Sequence, residues 1–163
     1  MPRDQFTYDA LHDPMTGLYN HSAFEILFHD SDQEHIAVVL VNVDDYAAVR
    51  ETKGRKYADQ MALRTAEVLR GNFRSVDHIC RLKEDEFVII VSRVTGDMHD
   101  LVFDKVRQVR EILQSGENEP EPVLLSVGIA FSDREKPGSD IFVDADAALE
   151  KMISEKKHGC AVF

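Results

Sequence analysis

The sequence predicts an α+β fold: a mixed, largely antiparallel sheet flanked by helices. Apolar, β-branched runs at 36–43, 78–82, 87–91 and 123–131 have the length and composition of buried strands. Stripes of apolar residues at helical spacing lie between and beside them. Only four charged residues, Lys83 to Glu86, separate two of the runs, which makes that pair an antiparallel hairpin. Crossover helices on the faces of such a sheet are the α+β arrangement. The pattern leaves the strand order open.

Taken in order, residues 4–12 read as a short linker-type helix carrying Phe6, Tyr8 and Leu11. Asp13-Pro14-Met15-Thr16-Gly17 is a turn by its Asp, Pro and Gly. Residues 21–30 form a helix with Phe24, Leu27 and Phe28 on one face. The strand from Ile36 to Val43 ends at Asn42-Val43-Asp44-Asp45. A helix over 45–53 breaks near Gly54. A second, 57–70, has Ala58, Met61, Ala62, Val68 and Leu69 in its stripe and Gly71 as its cap. The hairpin follows, and then a helix over 99–114 with Val102, Val106, Val109 and Leu113 in register. Val123–Phe131 is a strand, Ser139–His158 is mostly helical, and Cys160–Phe163 is a terminal strand.

The 163 residues suit one domain with a sizeable core, so 1–163 is expected to be a single unit. A net charge of −11 argues against a nucleic-acid partner, which leaves a basic footprint. No apolar run reaches bilayer-spanning length, and the first residues have no signal core. A reducing, cytoplasmic setting is expected. Cys80 and Cys160 read as structural thiols, and the seven histidines lack metal-ligand spacing.

Three segments together carry a resemblance. Asp13-Pro14-Met15-Thr16-Gly17-Leu18-Tyr19-Asn20 resembles the D-P-L-T-G-L-x-N opening of the GGDEF family, the diguanylate cyclases. Arg81-Leu82-Lys83-Glu84-Asp85-Glu86-Phe87 is similar to its R-x-G-G-D-E-F hairpin, with a KEDEF turn in place of GGDEF. Ser126-Val127-Gly128-Ile129-Ala130 is similar to its S-x-G-I/V-A strand. The segments keep family order and spacing over nearly the whole chain. The resemblance implies a palm fold like that of nucleotide cyclases. It also implies condensation of two GTP to cyclic di-GMP on a homodimer, with two Mg²⁺ per half-site.

Residue by residue, the resemblance implies an impaired site. Asp85 and Glu86 match the hairpin acids, but the strand-end metal position is Asn42, whose amide brings no charge to a hard cation. Asp44 faces the same way as Asn42 and matches the second acid of the family pattern. Lys83 and Glu84 replace the glycines that let backbone approach the nucleotide. Arg50 stands at the guanine-reading asparagine, Asp59 retains its acidic partner, and Lys156 matches a phosphate-contacting lysine. No cofactor is expected, and Mg²⁺ only with residual GTP binding.

Arg74-Ser75-Val76-Asp77 matches the family's R-x-x-D inhibitory motif at its offset from the hairpin. That motif binds cyclic di-GMP in the family, and Lys105 stands where a helix arginine assists. Arginine offers a planar fork that suits phosphate or a guanine edge. The competing reading is a surface ion pair. The expected function is a cyclic di-GMP receptor built on a cyclase fold, alone, as a homodimer or beside a partner signalling domain. The alternatives are a nucleotide-independent interaction domain and a divergent active cyclase.

Overall fold

The computed structural model describes residues 9–115 and 122–163. The helix expected over 4–12 lies largely outside them; residues 9–11 are helical. The strands are β1 (Ala37–Val43), β2 (His78–Lys83), β3 (Glu86–Val91), β4 (Leu125–Phe131) and β5 (Cys160–Val162). The helices are α1 (His21–Asp30), α2 (Tyr46–Lys53), α3 (Arg55–Asn72), α4 (His99–Ser115) and α5 (Ile141–Ser154), with a 3₁₀ turn at Gly96–Met98. The strands form one sheet in the order β2-β3-β1-β4-β5. All neighbours are antiparallel except β4 and β5. The α+β expectation holds, and the order puts the most apolar strand at the centre.

Alternation along the strands makes two cores. Val39, Val41 and Val43 of β1 face α3 and α4, where Ala62, Ala66, Leu69, Val106 and Leu113 meet them. Val38 and Leu40 face α1 and α5, against Phe24, Ala145 and Leu149. Truncating one such buried leucine to alanine costs about 2–5 kcal/mol, against ~0–1 for an exposed ion pair, so these cores hold the fold. Gly128 permits the closest contact. A Cβ there would lie 2.4 Å from the Ala145 carbonyl and 2.5 Å from the Leu149 nitrogen. The α5 backbone therefore rests directly on β4.

Several boundaries differ from expectation for identifiable reasons. The helix expected over 57–70 runs from Arg55 to Asn72, and Gly71 is inside it rather than capping it. Phe73, in extended backbone, is the cap, and its N–H bonds the Leu69 carbonyl. Asn72 donates to the Val68 carbonyl (2.7 Å) and Lys105 donates to the Asn72 carbonyl (2.7 Å), so no left-handed glycine is needed. The hairpin strands absorb Lys83 and Glu86, which pair across the ladder and leave only Glu84-Asp85 in the turn. The helix expected over 139–158 starts after Asp140, which accepts from the Val143 N–H (2.9 Å), and ends at Ser154. Beyond it Lys156 takes a left-handed conformation, φ 54°, and redirects the chain toward β5.

Candidate functional site

The catalytic-type candidates gather at one end of the sheet. Glu86, Asn42 and Ser126 stand in register across β3, β1 and β4. Asn42 donates its amide N–H to Asp44 Oδ1 (2.9 Å), so these two side chains do share a face. The other Asp44 oxygen accepts from the Ser126 hydroxyl (2.8 Å) and lies 2.6 Å from His158 Nδ1. Both carboxylate oxygens of Asp44 are therefore engaged. Burial pushes the Glu86 carboxyl above its ordinary range; Asp146, Asp85 and Glu150 add to this and Lys83 opposes it. Asp85 sits in the turn, where its carbonyl accepts from the Val43 N–H (2.8 Å).

Three arginines from different elements converge on Glu84. Arg50 of α2 pairs with one carboxylate oxygen. Arg55 of α3 lies 3.4 Å from the other. Arg81 of β2 donates to the Glu84 backbone carbonyl (2.7 Å) from beneath. Arg81 is itself buried and reaches Asp13 (3.2 Å), whose carboxylate also accepts from the Thr16 N–H (2.9 Å) and hydroxyl (2.7 Å). Burial raises the Asp13 carboxyl, but the Thr16 hydrogen bonds and Arg81 outweigh it and hold it below its ordinary range. The Asp13–Asn20 loop and the hairpin are thus one assembly. Asn20 closes it by accepting from the Ala23 N–H (3.0 Å) as the cap of α1.

Asp59 is half-buried on α3 and Lys156 is exposed beyond α5. Asp85, Glu86, Arg50 and the turn are brought together by the sheet end and the α2–α3 corner. Lys156 belongs to the adjoining α5–β5 loop, which contributes His158 to Asp44.

Arg74 and Asp77 form a second centre between α3 and β2. Arg74 clasps Asp77 with Nε (3.2 Å) and Nη2 (3.0 Å). Asp77 also accepts from the Arg74 N–H (2.9 Å) and the Ser92 N–H (3.0 Å), and Arg74 donates to the Ser92 carbonyl (2.6 Å). The pair borders a cleft of ≈ 420 Å³ whose lining includes Arg70, Phe73, Ser75, Tyr19 and His12. Lys105 reaches the same corner, with Nζ 5.6 Å from the Phe73 ring centre and bonded to the Asn72 carbonyl.

Sequence reasoning missed Arg55, Arg70, Ser126 and His158. Arg70 holds the Thr16 carbonyl. Each acts on a residue far away in the chain, so its partner is not announced locally, even for Ser126, which lies in a strand motif. Burial alone pushes the Cys80 thiol up to about 12, in keeping with a structural thiol. No described helix is long and apolar enough to cross a membrane.

Comparisons with known proteins agree with this arrangement. The curated relative MucR of Pseudomonas aeruginosa, a bifunctional diguanylate cyclase/cyclic di-GMP phosphodiesterase, is 28% identical over 162 residues, covering 94% of this chain and 24% of its own length. The diguanylate cyclase DgcM of Escherichia coli is 24% identical over 162 residues, covering 95% of this chain and 39% of its own length. The chain thus spans well under half of either relative. The crystal structure of the coiled coil and GGDEF domain of DgcB from Caulobacter crescentus, in complex with c-di-GMP, shares the fold with a TM-score of 0.82 at 20% identity. That match covers 98% of this chain and 89% of the other. With the diguanylate cyclase, GGDEF domain model matching residues 10–159, on the fold and hairpin described above, the chain belongs to the GGDEF family.

Proposed function

We propose that this domain is a catalytically impaired GGDEF module that binds cyclic di-GMP at Arg74 and Asp77 and acts as a receptor or regulator. One contrast carries the reading. The turn position of a family glycine holds Glu84, tied to Arg50, whereas the R-x-x-D motif is intact and borders an open cleft. Arg74 presents a guanidinium there that suits phosphate or a guanine edge, and Arg70 and Lys105 add positive charge nearby. The c-di-GMP complex of DgcB lends support by family alone. The module works in the cytoplasm, as a homodimer or beside a partner signalling domain.

Impairment rests on chemistry. The oxygen donors at the strand end and hairpin are Asn42, Asp44, Asp85 and Glu86, the last with its carboxyl pushed above its ordinary range by burial. The first is neutral, and both oxygens of the second already accept hydrogen bonds. This set fits a divalent ion poorly. An Asn42→Asp variant is expected to show no turnover of GTP with Mg²⁺ or Mn²⁺, because Arg50 and Glu84 still fill the approach. Measurable product in that single variant would make the missing ligand the only defect.

One observation favours a nucleotide-independent interaction domain instead. Asp77 is fully hydrogen-bonded within the chain, so reading guanine requires Arg74 to swing away first. Isothermal titration with cyclic di-GMP decides. Wild type is expected to bind and Arg74→Ala to lose binding. Absence of heat at high micromolar ligand in wild type overturns the receptor reading.

A further inference from the structure

The α2–α3 corner is a cationic spot on an acidic protein. Arg50, Lys53, Arg55 and Lys56 fall within seven residues of a chain whose net charge is −11. Gly54, at φ 95°, turns α2 into α3 and brings Arg50 and Arg55 to one side. Helix α3 also begins without a side-chain cap, so its first-turn amides add to the same positive end. Into this corner projects the Glu84 carboxylate, with one arginine at each oxygen. Arg81 fixes the backbone of the same residue.

We infer that Arg50 and Arg55 form an anion site, and that Glu84 is its built-in occupant, competing with external phosphate groups. Two guanidiniums facing the two oxygens of one group form the arrangement that binds carboxylate or phosphate. Phosphate carries more charge and more acceptor oxygens than carboxylate, so it competes well once the carboxylate is gone. Glu84 is exposed enough to leave: its side chain lies in a two-residue turn, and an ion pair of this exposure contributes little. The site differs from the Arg74 centre, which lies on another turn with its own carboxylate. The inference rests on the reading that the hairpin no longer turns over GTP.

The test is calorimetric titration of pyrophosphate, in chelator and low salt, into the whole chain. Glu84→Gln is expected to bind pyrophosphate about threefold to fivefold tighter than wild type, because the competing charge is removed while the side chain keeps its size. Adding Arg50→Ala to that variant is expected to abolish the gain. The reversed pair Arg50→Glu with Glu84→Arg restores the contact and is expected to fold yet bind no pyrophosphate tightly. A GTP arm separates the sources: equal affinity assigns binding to phosphate alone, and tighter GTP binding adds a nucleoside contribution on the same arginines. The inference is overturned if Glu84→Gln binds no tighter than wild type. It is equally overturned if the gain survives loss of Arg50, or if the reversed pair binds as Glu84→Gln does. Product formed from GTP and Mg²⁺ by Glu84→Gln would overturn the impaired-cyclase reading instead, a distinct outcome.

Discussion

The Arg74–Asp77 turn and the Arg50–Glu84 corner are both arginine–carboxylate contacts, built in opposite ways. Asp77 and Arg74 are three residues apart, and the Asp77 side chain is 0% exposed. It accepts from two backbone N–H groups besides the guanidinium. Glu84 and Arg50 are 34 residues apart in sequence, and the Glu84 side chain is 46% exposed. Asp13 with Arg81 falls between, at 19% exposure. A buried, multiply bonded carboxylate braces the backbone; an exposed one is a replaceable occupant. An arginine–carboxylate pair is structural at one site and exchangeable at another, and burial decides which.

Substitutions can break that ranking. Asp77→Ala is expected to cost the most, about 2–4 kcal/mol in urea unfolding, because it leaves two backbone donors unpaired and Arg74 held only by the Ser92 carbonyl. A loss under ~1 kcal/mol would show that Asp77 is no brace. Asp13→Asn is expected to cost about 1–2 kcal/mol at neutral pH. It also carries a pH signature. The folded Asp13 carboxyl sits below its unfolded value, so its stabilisation is complete above roughly pH 4. That stabilisation is lost as pH falls through the lower folded value. The wild-type unfolding midpoint should drop over that acid window more steeply than that of Asp13→Asn. Glu84→Gln is expected to change stability by less than about 1 kcal/mol, with any loss shrinking further in high salt. A larger effect would move the corner into the same class as Asp77.

Much of the fold was legible because its signals are local. The β-branched run at 36–43, the valine stripe of α4 and the charged hairpin each state their own structure. The family spacing placed Asn42, Asp85 and Arg74 correctly on strand end, turn and loop. What escaped was every relation that needs the fold to exist first. Arg50 and Glu84 each read as a separate departure from the family pattern, and only the packed corner makes them partners. His158 and Asp44 are 114 positions apart, so nothing in sequence links them. Gly71 misled because glycine often ends a helix, while here Lys105, from another helix, serves the last carbonyl.

The basic corner at 50–56 has a consequence for kinetics of encounter. On a molecule of net charge −11, an approaching polyanion is repelled overall and meets attraction only at local basic clusters such as this one. Long-range forces of this kind orient a partner before any contact forms. An anionic partner drawn to this cluster would arrive next to the hairpin. Its arrival rate, more than its residence time, would respond to ionic strength.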